Sequence, residues 1–263
     1  MLKKLLKYDI KTINKGLIIF YSLSIFFSVL TRIFLSIENS VIMNVIGLIC
    51  SGATISMIFN ILINNLMRLW VRFKQNLYGD ESYLTHTLPV TKKQIYLSKF
   101  IISIVTLLMS VIVIFISLFI AYYSKENLQT IKTSLLPIAT VYDSTIISII
   151  VQFVFICFLE LMNMLQSGYT GIILGHKQNN NKMGFSVLFG FITYLGTQMV
   201  AILGVFIVAL FNDKLMNLFH TMEAIDVPTI KVCILIAVIV YTLNIVALYI
   251  LNQIQFNKGV NVE

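Results

Sequence analysis

Six apolar stretches follow one another along this 263-residue chain, at residues 17–37, 41–72, 99–122, 145–174, 185–211 and 230–251. Each matches or exceeds the roughly 20 residues a helix needs to cross a bilayer. Backbone polar groups in hydrocarbon must pair internally, so six such runs leave little choice but six helices. Charged residues make up 11% of the chain, too few to coat a soluble domain, where about 25% is usual. The expectation is an all-α polytopic membrane protein whose residues 1–263 form one transmembrane domain. The start is basic and runs straight into the first apolar stretch without a small-residue cleavage site, so no cleavable signal is expected. Cys50, Cys157 and Cys233 lie inside apolar runs without metal-ligand spacing and read as small core residues.

The polar segments between the runs carry the rest of the information. Residues 1–16 place Lys3, Lys4, Lys7, Lys11 and Lys15 on one helical face and Leu2, Leu5, Leu6, Ile10 and Ile13 on the other. That pattern predicts an interfacial helix on an anionic leaflet ahead of the first span. The second run continues as a helix to about residue 72, its end with Arg68, Trp70 and Arg72 reading as an interfacial anchor that projects into water. Residues 73–98 form the longest polar segment. Asp80 and Glu81 suit a helix start, Leu84 and Leu88 share one face, and Pro89 ends the helix. Thr91 is placed to cap the next helix with Gln94 in a capping box. Residues 123–144 read as a mixed loop interrupted by Pro137, 176–182 as a compact polar turn, and 212–229 as a short helix at the interface. Fourteen of the nineteen basic residues fall on one side, which places residues 73–98 and both termini in the cytoplasm. The net charge of +8 is thus explained by membrane edges, and nucleic acid is not an expected partner.

No phosphate-binding loop is present, since residues 171–177 fail in spacing, and His86, His176 and His220 lie in separate segments. No cofactor, metal or covalent chemistry is therefore expected on this chain. Glu160 stands inside the fourth run, where a carboxylate must face an interior or a partner. Asn163 and Gln166 follow at steps of three on the same face, and Asn60, Asn64 and Asn65 mark the second run. These residues either line a pathway or dimer seam, or simply hydrogen-bond between helices. Gly171 and Gly175 form a small-xxx-small pair that predicts close helix packing.

The segment 78–99 resembles one found in the permease subunits of ABC-2 type (type V) exporters. Glu81, Leu84, Leu88, Pro89, Val90, Thr91 and Lys99 stand where that family carries its coupling helix between spans two and three. The resemblance implies an ATPase docking on residues 80–88, with Leu84 and Leu88 as anchors, Asp80 and Glu81 at the rim and Pro89 closing the helix. It also implies ATP and Mg on a separate ATPase subunit dimer, a second permease chain in the same membrane, and a bacterial plasma membrane location. The cargo would be a peptide, an antimicrobial or another amphiphile. The competing expectations are a proton-coupled carrier using Glu160, and a membrane anchor with no transport role. A carrier of that kind commonly shows an inverted repeat with proline-broken spans, whereas Pro89, Pro137 and Pro228 lie outside the apolar runs.

Overall fold

The computed structural model describes residues 2–37, 40–212, 215–216 and 227–259. Among these residues the only regular structure is helix, with no strand. The helices are α1 (Leu2–Leu35), α2 (Val41–Leu77), α3 (Ser82–Thr87), α4 (Lys92–Tyr122), α5 (Lys125–Val141), α6 (Ile146–Gly175), α7 (Lys182–Ala209) and α8 (Val227–Asn257). Six of them, all but α3 and α5, are long and apolar enough to cross a membrane. Large side chains such as Phe59, Ile112, Phe153, Phe191 and Leu243 are exposed along them, as expected where acyl chains take the place of water. The protein is a multi-pass membrane protein. It divides into two compact units, Met1–Thr130 and Ile131–Glu263, the division falling inside α5.

In the first unit, α1 packs on α2 and α4. No separate interfacial helix precedes a first span, because α1 is continuous through residues 16 and 17. Nothing in the sequence stops it there. The inward stripe Asp9, Ile13, Leu17, Tyr21, Ser24, Ser28 and Thr31 is buried across the expected boundary at steps of three and four, so one helix face serves both parts. A second correction concerns α2, which runs to Leu77 and buries Arg72 instead of projecting it into water. Hydroxyls line the seams between these helices. Tyr21 Oη meets Ser110 Oγ at 2.8 Å, Ser24 Oγ donates to Ser117 Oγ at 2.9 Å, and Thr31 Oγ1 meets Thr54 Oγ1 at 3.1 Å. Asn65 Nδ2 donates to Ser110 Oγ at 2.7 Å and to Thr106 O at 3.0 Å. Asn60 and Asn64 bond back to their own helix, at Ser56 O and Asn60 O.

In the second unit, α6 packs on α7 and α8. Gly171 and Gly175 bring α6 and α7 to backbone contact, as their spacing predicts. A Cβ at Gly171 would stand 2.4 Å from Ser186 O and 2.5 Å from Gly190 N. The turn between them ends on Asn181 at φ 47°, in the left-handed region that Asn tolerates, with its side chain accepting from Gly184 N. The expected loop at residues 123–144 is largely helical instead, as α5. Asn127 N bonds to Ser124 Oγ at 3.0 Å to start it. Pro137 removes one backbone donor without ending the helix, which stops only where Asp143 turns to φ 47° and Ser144 N reaches Ala139 O. The interfacial helix expected at 212–229 falls mostly outside the described residues.

Candidate functional site

Where α1 and α4 begin and α2 ends, five side chains close a ring. Asp9, Arg72 and Lys99 are 2%, 8% and 5% exposed. Asp9 Oδ1 accepts from Arg72 Nε at 3.3 Å, and Asp9 Oδ2 accepts from Lys99 Nζ. Lys99 Nζ donates again to Asn76 Oδ1 at 2.7 Å. Asn76 Nδ2 donates to Glu81 Oε2 at 2.5 Å, and Arg72 Nη1 returns to Glu81 Oε1 at 2.8 Å. Two acids balance two bases, so the ring is neutral and each charge faces an opposite one. Burying such groups costs several kcal/mol per ion, and only complete pairing offsets that penalty. The Arg72 guanidinium also lies over the Tyr8 ring, 5.6 Å from its centroid. Beneath the ring, Phe73 and Tyr96 meet edge to face at 6.2 Å, and burial pushes the Tyr78 phenol up, keeping it uncharged.

Glu81 ties this ring to α3. The helix expected over residues 80–88, with Asp80 and Glu81 at its start, is shorter, Ser82–Thr87. Asp80 is exposed, whereas Glu81 has no capping bond to α3 and spends its carboxylate on Arg72 and Asn76. A charge-assisted bond to a guanidinium outcompetes a neutral backbone donor. His86 Nε2 meets Leu77 O at 3.2 Å and holds the far end of α3 to α2. Ser82 and Thr85 face inward, leaving Tyr83 76%, Leu84 67% and Leu88 42% exposed, with Pro89 exposed beside them. After the break, Thr91 Oγ1 accepts from Gln94 N at 3.3 Å while Gln94 Oε1 accepts from Thr91 N at 3.2 Å. That is the capping box the sequence predicts.

The second unit carries a separate polar ladder on α6. Glu160 Oε1 accepts from Tyr194 Oη at 2.7 Å and Gln198 Nε2 at 2.9 Å, and Gln198 Oε1 accepts from Tyr241 Oη at 3.0 Å. Asn163 Nδ2 donates to Thr197 Oγ1 at 2.9 Å. Gln166 Oε1 accepts from Asn252 Nδ2 at 3.1 Å. The three α6 residues thus share a face, as their spacing predicts, and all three engage α7 or α8 of their own unit. Glu160 Oε2 is buried without a hydrogen-bond partner among the described residues.

Sequence reasoning misses Asp9 and Asn76 as site residues, reads Arg72 as an interfacial anchor, and gives Lys99 only as the last position of the segment 78–99. The signal was there in part, since Asp9 is the one acid among residues 1–37 and sits in a lysine-rich helix. No family model, curated protein or solved structure matches the chain.

Proposed function

We propose that this chain is the membrane-spanning permease subunit of an ATP-driven ABC exporter, working as a pair of permease chains with a separate ATPase dimer. The observation that carries the reading is α3. It is a short helix fixed at both ends to its unit, with Tyr83, Leu84 and Leu88 turned outward. An isolated six-residue helix does not hold its shape in water, so its two anchors make it a preformed surface. Exposed apolar side chains beside exposed Asp80 suit a protein partner with an apolar pocket and a polar rim. The ring places Glu81, at the start of that surface, in direct contact with α2 and one bond from α1 and α4. Force applied at α3 then reaches three membrane helices through charge pairs. The bacterial plasma membrane, cytoplasmic termini and a peptide, antimicrobial or other amphiphilic cargo belong to the same proposal.

Co-purification tests it. The tagged chain, extracted in mild detergent from its native host, should bring down a stoichiometric ATPase. Leu84→Asp should release that ATPase while the chain still inserts in the membrane. Isolation of the chain without any ATPase would overturn the reading.

A second reading, a proton-coupled carrier, draws on Glu160 Oε2, which is buried without a hydrogen-bond partner among the described residues and lies inside a candidate span. Under it, Glu160→Gln abolishes proton-driven transport in liposomes while leaving assembly intact. Transport that is indifferent to this change and to the proton gradient excludes the carrier.

A further inference from the structure

The outward face of α1 changes character within one turn. Lys4, Lys7, Lys11 and Lys15 are exposed at steps of three and four, and the exposed positions that follow include Ile18, Ile19, Leu23 and Phe26. A helix bordering lipid makes this change where headgroups give way to acyl chains. Arg68 of α2 lies at that level. Its guanidinium rests directly on Gly16, where a Cβ would stand 1.9 Å from Nη1 and 2.2 Å from Cζ. Glycine is therefore what leaves the seat open.

Arg68 has no ion pair among the described residues, and its Nε is buried without a hydrogen-bond partner. The acid that α1 could offer, Asp9, is already held by Arg72 and Lys99. Lys15 adjoins Gly16, and Lys11 precedes it by one turn on the exposed face. Arg68, Lys15 and Lys11 thus have no ion pair among the described residues, on the stretch of α1 where outward charged positions give way to apolar ones. We infer that Arg68 on its Gly16 seat, with Lys15 and Lys11, binds the phosphate of an anionic phospholipid. A guanidinium offers paired N–H donors that match two phosphate oxygens, and the flanking ammonium groups add attraction for the net negative headgroup. The inference rests on the membrane-spanning helices and is independent of the exporter reading.

Trp70, the single tryptophan of the chain, lies two positions from Arg68 and serves as the reporter. The full chain is reconstituted in phosphatidylcholine vesicles containing either brominated phosphatidylglycerol or brominated phosphatidylcholine. Quenching should show a preference of about fivefold for the anionic lipid, the ratio expected for one well-placed basic group near a membrane surface. Arg68→Gln and Gly16→Val should each bring the preference toward parity, and Arg68→Lys should keep most of it. The double change Lys11→Gln and Lys15→Gln alters only exposed positions, so it should lower the preference without affecting folding. Equal quenching by the two lipids in the unaltered chain, or an unchanged preference in Arg68→Gln, overturns the assignment. Loss of the preference on adding millimolar glycerol phosphate would identify a soluble phosphate ligand and also overturn it.

Discussion

Asp9→Ala is expected to destabilise the detergent-solubilised chain by about 3–5 kcal/mol, the cost of leaving a buried charge without its partner. Asp9 is the shared anion of Lys99 and Arg72, and all three are nearly excluded from solvent. Removing it leaves Lys99 hydrogen-bonded to Asn76 with no carboxylate, and Arg72 with Glu81 as its one carboxylate among the described residues. Denaturation in mixed micelles, followed through Trp70 fluorescence, measures the loss. Pairing Asp9→Ala with Lys99→Met should recover much of it, since an apolar replacement of similar length removes the stranded ammonium together with its lost partner. A loss below about 1 kcal/mol, the range of solvated pairs, would mean that water reaches the ring. Glu81 would then lose its assigned part in transmitting force from α3.

Gly171→Val should be the most damaging change in the second unit. At this position the neighbours are backbone atoms of Ser186 and Gly190, all within 2.6 Å of a built Cβ. No side chain can swing aside, so α6 and α7 must separate. Overpacking of a core costs about 1–3 kcal/mol and occasionally more, and this site belongs at the upper end. Gly196→Ala on α7 provides the control, since nothing lies within 4 Å of that position. It should be neutral or slightly stabilising through helix propensity. Thermal unfolding of the purified variants compares the two. Equal midpoints would show that the α6–α7 contact is looser than its backbone distances imply.

The apolar runs, the Thr91–Gln94 box and the Gly171–Gly175 spacing were legible in the sequence because each rests on local chemistry: hydropathy over one helix, a three-residue hydrogen-bond pattern, or a one-turn repeat. The charged ring was not legible, because its members lie at positions 9, 72, 76, 81 and 99 and only the fold brings them together. Read locally, Lys99 and Arg72 are ordinary membrane-edge cations, and Asp9 is a minor interruption of a basic face. The extent of α3 was misread for a related reason. Asp80 and Glu81 are both good helix starters, but Glu81 is drawn to Arg72, a tertiary partner that propensity does not contain. Residues 123–144 read as a loop from their mixed polarity and Pro137, yet 125–141 are helical, because only a proline's own missing donor and the preceding turn are directly affected. Glu160, Asn163 and Gln166 were correctly placed on one face, but their partners Tyr194, Thr197 and Asn252 could not be chosen from spacing alone.

The hydroxyl seam of the first unit has a mechanical consequence. Ser28 also bonds to Ser24 O, Thr31 to Phe27 O, Thr54 to Cys50 O and Thr106 to Ile102 O. Such hydroxyls retain a partner on their own helix when the facing helix withdraws, so parting α1 from α2 at Thr31–Thr54 strands no buried donor. Interhelical bonds of this kind are worth only about 0.6 kcal/mol each in membranes. The ring at the opposite end has no such reserve, because its ammonium, guanidinium and carboxylates depend on one another across helices. At Thr31–Thr54 the contact between α1 and α2 can thus part at little cost, whereas the charged end of the same helices cannot.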